Sequence, residues 1–301
     1  MTISSAATAG TVVVARPAAS AAAASAEFLN KCFIISAPCF RKFLVSMIGI
    51  FVFIFGVMIG SFLNVLIYRI PRELNFVSTR SQCPQCKKLI FWYENIPILS
   101  YIFLRGKCSK CKARISIRYP LIELLTGVVA VFLLPTHYSM NAPLIYTFYF
   151  SVFCVFLVHF FIDLEFKILP NLLNLYLALV FGGYSILMHD YKFILLGALI
   201  GVGFPAAVSW IFYKIKGEIG LGMGDIKLYG ALGLFLGPMG IIQNIFLSCF
   251  LGSIIGLLLI VTKQMNKSSA IPFGPFIIIV SFFQIFFPDM YKMLMTYILV
   301  R

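Results

Sequence analysis

Two aspartates, Asp163 and Asp225, border long apolar segments and are the residues best placed to do chemistry. Asp163 ends the run FCVFLVHFFID, and Asp225 lies within GLGMGDIKLYGALG. A carboxylate at the edge of hydrocarbon costs about 3 kcal/mol or more, so such residues are usually retained for function. A pair of them suits acid–base hydrolysis, in which one ionised carboxylate activates water while its neighbour supplies a proton. This is the chemistry of an aspartic protease.

The residues around the second aspartate favour this interpretation over a purely structural one. Each aspartate could simply cap a helix end, but the helix dipole favours an anion at the helix start predicted for Asp225 and opposes one at the helix end predicted for Asp163. Gly222 and Gly224 permit an unwound backbone and the close approach of another chain, as an extended substrate would require. Lys227 is predicted either to stabilise charge at this site or to extend to the membrane surface.

The composition indicates a membrane protein. Of the 301 residues, 61% are hydrophobic and only 11% are charged, and the mean hydropathy is +1.00. A soluble domain of this length could not bury so much apolar surface. The net charge of +14 could suggest a nucleic-acid partner, but its distribution argues against one. Residues 69–118, here named the cysteine loop, contain eleven Lys/Arg and only two acids, Glu73 and Glu94.

Apolar runs of membrane-spanning length predict an all-α polytopic membrane protein in contact with the lipid bilayer. We expect about eight transmembrane helices, of which the sixth is short and poorly bounded. Residues 1–42 are predicted to form a disordered or poorly ordered N-terminal tail. The predicted spans are 43–68, 119–134, 143–162, 171–188, 192–213, 226–237, 239–262 and 271–287.

The distribution of cations predicts the orientation of these spans. Because cationic loops mark the cytoplasmic side, the cysteine loop is expected to be cytoplasmic. Alternation then places the later lysine-bearing loops on the same side and leaves residues 135–142, which lack Lys and Arg, outside. Asp163 and Asp225 consequently share one membrane face, as a pair of catalytic carboxylates requires.

The cysteine loop carries the pattern of a metal site. Cys83 and Cys86 form one CxxC pair, and Cys108 and Cys111 form a second pair after 21 intervening residues. This spacing is typical of four thiolates around a zinc ion, and a site with four protein ligands and no open position is structural. Disulfides or a redox motif are the alternative, but a cytoplasmic loop argues against stable disulfides.

Several motifs together resemble one family, the type IV prepilin peptidases, which are bifunctional leader peptidases and N-methyltransferases of the GxGD aspartic class. The resemblance covers about residues 45–287. It departs at Asn171, where many members have Asp, and the first 40 residues match nothing in the family. The motifs are Gly60-Ser61-Phe62-Leu63-Asn64-Val65 followed by Tyr68-Arg69-Ile70-Pro71, the cysteine loop through RYPLIE, Asp163 to Pro170, Gly222-Met-Gly224-Asp225-Ile-Lys227, and Ile271-Pro272-Phe273-Gly274-Pro275-Phe276.

The resemblance implies a substrate and two reactions. Members of the family cut the basic leader from type IV prepilins or type II secretion pseudopilins and then methylate the new N-terminal amine with S-adenosylmethionine. If the functional residues of the family are transferred to the matching positions of this sequence, Asp163 and Asp225 would be the catalytic residues, supported by Gly222, Gly224 and Lys227. The resemblance also implies a multi-pass protein of the bacterial inner membrane with its active site near the cytoplasmic face. It leaves the oligomeric state open.

The methyl-donor site has no recognisable motif, because the chain contains no glycine-rich dinucleotide fingerprint. By resemblance, we look for it in and beside the cysteine loop. Glu123 lies just inside the second predicted span, and an ion pair with Arg118 or Arg114 explains it as well as contact with a cationic group of donor or substrate. The candidate cofactor-binding residues are Glu94, Arg105, Gly106, Lys107 and Glu123.

These inferences predict three parts along the chain. After the tail of residues 1–42, residues 43–134 would hold the first two spans and the zinc-stapled cysteine loop and serve methylation. Residues 135–301 would form the GxGD aspartic peptidase core in the membrane. The expected cofactors are one structural Zn²⁺ and S-adenosylmethionine.

Three other functions remain open. A peptidase-only GxGD protease would lack the methyltransferase, although the cysteine loop argues against it. A proton-coupled transporter would also need buried aspartates, but it should often show matching broken segments in two halves, which are not visible here. A non-catalytic assembly factor with the same fold would differ only when the aspartates are mutated.

Overall fold

The described part of the chain is helical throughout its membrane segments. A computed structural model describes residues 47–75, 80–135, 140–218, 220–263 and 271–299, so the predicted tail of residues 1–42 lies outside the described residues. The α-helices of the described ranges are α1 (Met47–Arg69), α2 (Leu99–Phe103), α3 (Arg118–Phe132), α4 (Ala142–Phe166), α5 (Asn171–Met188), α6 (Tyr191–Lys216), α7 (Met223–Val261), α8 (Gly274–Phe286) and α9 (Pro288–Leu299).

The predicted all-α polytopic class is confirmed, but the number of spans is smaller than eight. Among the described residues, five helices are long and apolar enough to cross a bilayer: α1 and α4 to α7. A sixth span arises if α8 and α9, which are bent by 109° at their junction, are counted together. Every predicted apolar segment does fall on a helix.

The difference has two physical causes. The second predicted span is α3, whose 15 residues reach only about 22 Å at 1.5 Å per residue, short of the roughly 30 Å hydrocarbon core. The sixth and seventh predicted spans correspond to the two helical segments of α7, which meet at a break at Gly237 and together make up its 39 residues. There the backbone has φ 68°, ψ −174°, and Pro238 follows, so glycine is needed at the break and proline cannot continue the earlier hydrogen bonds.

The α6 and α7 helices pack unusually closely through small residues. A methyl group added to Gly197 would lie 2.1 Å from the carbonyl oxygen of Gly233, and one added to Gly201 would lie 2.4 Å from that of Tyr229. Packing of backbones against each other at glycine is how membrane helices associate without a hydrophobic driving force. This contact fixes the N-terminal half of α7, which carries Asp225.

The core forms around α4, the most buried of the spanning helices. Its aromatic side chains stack on those of neighbouring helices, as Phe148 does on Tyr184 and Phe235. On the other side of α7, the buried Asn244 donates to Ser281 and Gln284 of α8. The α4, α7 and α8 helices are therefore held together by both apolar packing and buried hydrogen bonds.

Candidate active site and metal centre

Asp163 lies in the last turn of α4 and is almost completely buried, with 4% exposure. Its Oδ2 accepts a hydrogen bond from the backbone N–H of Gly274 at 2.9 Å. Gly274 is the first residue of α8, within the Pro272–Pro275 break. The motif at Pro272–Pro275 therefore lies directly against the carboxylate.

Asp225 lies in the first turn of α7, as the sequence predicted. Gly222 is the extended residue before the helix, while Gly224 is already helical, so the unwound stretch ends earlier than expected. Gly222 borders the carboxylate, since a methyl group there would lie 2.9 Å from Oδ2 of Asp225. The other oxygen, Oδ1, is buried and has no hydrogen-bond partner among the described residues.

The structure brings the two aspartates together. Although 62 positions separate them in the sequence, Asp225 directly follows Gly224 and Asp163 accepts a hydrogen bond from Gly274, and both glycines pack against Leu169. Leu169 fills the space between the segments, because methyl groups added to Gly224 and Gly274 would lie 2.9 Å from its Cβ and 3.2 Å from its Cδ2. Glycine at both positions therefore allows the three segments to meet.

Lys227 does not reach the aspartates by a direct hydrogen bond. Its Nζ donates to Oδ1 of Asn171 at 2.7 Å, in an exposed contact that links α7 to the start of α5. Asn171 is the position at which the sequence departs from the family pattern. The structure thus gives Lys227 a third role, that of a link between helices, which neither sequence interpretation included.

Two polar contacts beside the aspartates were not predicted. His159, one turn before Asp163, is fully buried, and its Nε2 lies 2.8 Å from Oδ1 of Asn174. The side-chain nitrogen of Asn174 in turn donates to the carbonyl oxygen of Gly224 at 3.2 Å. The only sequence signal was a histidine in an apolar run at helical spacing from Asp163.

Glu165 forms the second unpredicted contact. It accepts a hydrogen bond from Arg118 at the start of α3 and lies 3.7 Å from the guanidinium of Arg72. Arg72 also stacks on the rings of Tyr68 and Phe166. The end of α4 is therefore tied to both ends of the cysteine loop.

The cysteine loop folds into two turns of the same construction. In the first turn, the N–H of Lys87 donates to the carbonyl of Cys83; in the second, that of Lys112 donates to Cys108. Both lysines have positive φ, 56° and 58°, as expected where a tight turn presents two thiols on one side.

The two turns face each other and bring the four thiols together. Sγ of Cys83 lies 3.8 Å from that of Cys111, and Sγ of Cys86 lies 3.9 Å from that of Cys108. All four sulfur atoms lie within 4.8 Å of one another. Zinc–sulfur bonds of about 2.3 Å in a tetrahedron separate neighbouring sulfurs by about 3.8 Å, so the donor set fits Zn²⁺. Backbone N–H groups of Cys111 and Lys110 lower the pKa of the Cys108 thiol to about 6, whereas burial and the neighbouring thiols raise the pKa of Cys111 to about 11, as expected of adjacent thiols that lose their protons in turn.

This geometry predicts the metal content of the purified protein. The wild type is expected to bind one zinc ion per chain, and Cys86→Ser or Cys108→Ser should lose it, because the three remaining thiolates bind zinc far more weakly. Elemental analysis by mass spectrometry would measure the content. Cys249→Ser, which changes a cysteine of α7 outside the cluster, is the matched control, and a zinc-free wild type that stays folded would contradict the assignment.

The candidate methyl-donor residues occupy three separate places. Glu94 accepts hydrogen bonds from Lys88 at 2.8 and 3.1 Å, and Lys88 also donates to Ser109, so this ion pair joins the two cysteine turns. The bond from Lys88 lowers the pKa of Glu94 to about 2. Arg105, Gly106 and Lys107 form the turn after α2, in which Gly106 has φ 64° and contacts Tyr101.

Glu123 forms the third place, and the ion pair with Arg118 or Arg114, one of its two possible explanations from the sequence, is not formed among the described residues. Its Oε2 accepts a hydrogen bond from the backbone N–H of Ile98 at 2.7 Å, and it also interacts with the hydroxyl of Ser61. Arg118 pairs with Glu165 instead. Glu123 is thus a buried carboxylate that connects α3 to the cysteine loop.

The fold and the meeting aspartates define a polytopic membrane protein with paired carboxylates where its helix ends converge. Two family models match the chain: Bacterial Peptidase A24 N-terminal domain over residues 54–137 and Type IV leader peptidase family over residues 149–257. No solved structure matches it significantly.

Curated relatives give the same result. The chain is 35% identical over 270 residues to the prepilin leader peptidase/N-methyltransferase of Aeromonas salmonicida, which covers 79% of this chain and 90% of the relative. It is 34% identical over 252 residues to the protein of the same name from Neisseria gonorrhoeae, which covers 74% of this chain and 84% of that relative. The chain therefore belongs to the type IV leader peptidase family, which confirms the resemblance found in the sequence motifs.

Proposed function

We propose that this protein removes the leader peptide of type IV prepilins or pseudopilins with Asp163 and Asp225 and methylates the new N-terminal amine with S-adenosylmethionine. The convergence of the two aspartates at the ends of α4 and α7 is the observation that carries the peptidase half. The curated relatives, which are named prepilin leader peptidase/N-methyltransferase, support the pairing of two activities.

The cleavage step follows from two adjacent carboxyl groups that share one proton. The ionised group removes a proton from water, and the water oxygen bonds to the scissile carbonyl carbon while the protonated group gives its proton to the carbonyl oxygen. The carbon–nitrogen bond then breaks as the group that took the water proton passes it to the leaving nitrogen, while the other group takes back a proton from a hydroxyl of the tetrahedral intermediate, which becomes the new carboxyl group. The N–H of Gly274 orients Asp163 throughout, and the buried Oδ1 of Asp225 is the acceptor left for a proton.

The position of the site suits a substrate that is itself apolar. Both aspartates lie at ends of helices long enough to cross a bilayer, and pilin N-terminal helices can remain in the membrane while their polar leader reaches the interface. The eleven cations of the cysteine loop favour a cytoplasmic location for this face. We accordingly place the protein in the bacterial inner membrane.

Methyl transfer is assigned to residues 43–134, and the peptidase to residues 135–301. S-adenosylmethionine supplies an activated methyl group to the neutral amine, so the protein need only align the two and exclude water. Glu123 is buried beside the cysteine loop and is the candidate to bind a cationic group there. Arg105, Gly106 and Lys107 would shape the turn beyond α2, Glu94 would hold the two cysteine turns together, and Zn²⁺ on the four cysteines would hold the loop itself.

A single assay tests both halves of the proposal. Purified protein in nanodiscs would be incubated with a prepilin and S-adenosylmethionine, and the products weighed by mass spectrometry. A product without its leader and with one added methyl group is the expected result. Cleavage without methylation would reduce the protein to a peptidase, and a wild type that cleaves none of a panel of prepilins and pseudopilins would overturn the proposal.

Glu123→Gln is expected to lower methylation while leader cleavage stays at the wild-type rate. The amide keeps the size of the side chain and can still accept the hydrogen bond from Ile98, but it removes the charge that would bind a cationic group. The measurement is the ratio of methylated to unmethylated product at equal cleavage. Glu73→Gln, at an exposed acid of the cysteine loop, is the control, and unchanged methylation in Glu123→Gln would exclude the role.

A further inference from the structure

The segment between the two cysteine turns exposes a row of large apolar side chains, here named the apolar ridge: Trp92, Leu99, Ile102 and Phe103. Trp92 is 77% exposed, Ile102 is 62% exposed and Phe103 is 80% exposed. A water-soluble loop seldom exposes adjacent side chains of this kind without covering them with a partner. Neither the proposed chemistry nor the metal centre uses any of the four.

The ridge is held at the level of the membrane by one hydrogen bond. The N–H of Ile98, directly before α2, is bound to the carboxylate of Glu123. Glu123 packs against α1 at Gly60, where an added methyl group would lie 2.7 Å from the Cα of Glu123. Gly60 lies nine residues before the end of α1 at Arg69, which is about 13 Å along a helix axis. Since α1 is long and apolar enough to span a membrane, this contact places Ile98 beside the α1 span, and the ridge next to it.

The backbone at Ile98 supports a fixed attachment. Its φ of 61° and ψ of −53° are rare for a β-branched residue and persist only where surrounding contacts determine them. This conformation presents the N–H to Glu123 and starts α2 at Leu99. The loop is therefore attached to α3 by the hydrogen bond between Ile98 and Glu123.

The charges around the ridge indicate which lipids it meets. The cysteine loop has eleven Lys/Arg against two acids, and one of those acids, Glu94, is already bound to Lys88. Aromatic side chains flanked by cations are typical of the interfacial layer of membranes with anionic headgroups. We propose that the apolar ridge inserts into the interface of an anionic lipid bilayer and anchors the cysteine loop to the membrane surface.

Tryptophan fluorescence can test this contact without any substrate. The chain has two tryptophans, so Trp210→Phe leaves Trp92 as the single reporter. In nanodiscs that contain phosphatidylglycerol, lipids brominated near the carbonyl should quench Trp92 strongly, and lipids brominated near the chain end should quench it less. Ile102→Asn with Phe103→Asn should weaken the quenching, whereas Met140→Asn, at an exposed residue outside the loop, should leave it unchanged.

Two results would overturn the proposal. One is a Trp92 that no brominated lipid quenches while Trp210, measured alone in Trp92→Phe, is quenched normally. The other is a Trp92 that is unquenched by lipid but becomes shielded from acrylamide when prepilin is added, which would make the ridge a substrate-binding surface. The assay needs no catalysis, so its outcome is independent of the peptidase and methyltransferase assignments.

A second inference rests on the buried contacts beside the aspartates and assumes the proposed peptidase function. Asn174 donates its amide hydrogen to Gly224, so its oxygen must accept, and His159 must carry its proton on Nε2. His159 and Asn174 are 0% and 3% exposed. The carbonyl they hold belongs to the residue directly before Asp225, and His159 stands one turn before Asp163 on α4. We infer that His159 and Asn174 are positioning residues that set the distance between the two aspartates.

Kinetics of matched variants would distinguish positioning from simple packing. His159→Leu and Asn174→Leu are each expected to lower kcat about tenfold, the equivalent of a net hydrogen bond, at an unchanged KM for prepilin. The double variant should be no worse than either single one, because both remove the same connection. His159→Gln, whose amide can still donate to Asn174, should recover most of kcat.

Other outcomes would exclude this role. If His159→Leu and Asn174→Leu lower the melting temperature but cleave at the wild-type rate per folded molecule, the contact is structural only. The contact would also have no positioning role if the effects of the two substitutions on kcat are additive in the double variant. Cleavage by the wild type in the same assay is the internal control: its absence would refute the proposed function rather than the positioning role.

Discussion

Asp163→Asn and Asp225→Asn are each expected to reduce leader cleavage by at least about a thousandfold, the scale of a lost acid–base group. An amide can neither take a proton from water nor deliver one to the leaving nitrogen, and the reaction needs both. The asparagine at position 163 can still accept the hydrogen bond from Gly274, so the fold should persist. The measurement is the single-turnover rate of leader release from a prepilin in nanodiscs.

Two controls accompany the aspartate variants. Asp289→Asn changes an acid in the first turn of α9, away from the site, and should cleave at the wild-type rate. Both catalytic-site variants should still methylate a pilin peptide supplied without its leader, which shows that they are folded. Cleavage at the wild-type rate by either Asp163→Asn or Asp225→Asn would refute the carboxylate pair.

Gly274→Ala is the second change with a large expected effect. The new methyl group would lie 2.7 Å from Oδ2 and 3.1 Å from Cγ of Asp163, so the carboxylate must move and the N–H bond that orients it must lengthen. A displacement of about 1 Å at a reacting group can cost about a hundredfold in rate. We expect a loss of that size in kcat for leader cleavage, with zinc content unchanged.

Gly183→Ala provides the matched control for this substitution. Gly183 lies inside α5, and a methyl group there would meet nothing within 4 Å, so cleavage should be unaffected. If Gly274→Ala cleaves as fast as Gly183→Ala, Asp163 does not depend on the Gly274 contact, and the start of α8 would be a simple kink.

The helices could be predicted from the sequence, but their lengths could not. Apolar runs mark the spans because the part of each span within the bilayer contacts hydrocarbon instead of water. The break at Gly237 lies inside a continuous apolar stretch, and glycine with proline there suits a span boundary as well as a bend within one helix. The shortness of α3 likewise depends on where the cysteine loop rejoins the membrane, a tertiary property.

The residues of the site also differ in how far the sequence could predict them. The clustering of the cysteines and the placement of the aspartates near each other could be expected, because their types are rare in such surroundings and the cysteine spacing is characteristic. His159 and Asn174 could not, since each is merely a polar residue in an apolar helix until its partner on the other helix is known. Glu123 shows the converse error: sequence proximity suggested Arg118, but Arg118 turns to Glu165 on α4.

The contacts of Glu165 have a mechanical consequence. Glu165 follows Asp163 by two residues and is bound to Arg118 and Arg72, which belong to the other half of the chain. Any rotation of the last turn of α4 must either carry the first turn of α3 with it or separate paired charges. Because these ion pairs are partly exposed, they link the two parts of the chain at this face without locking them, and high salt should weaken the link.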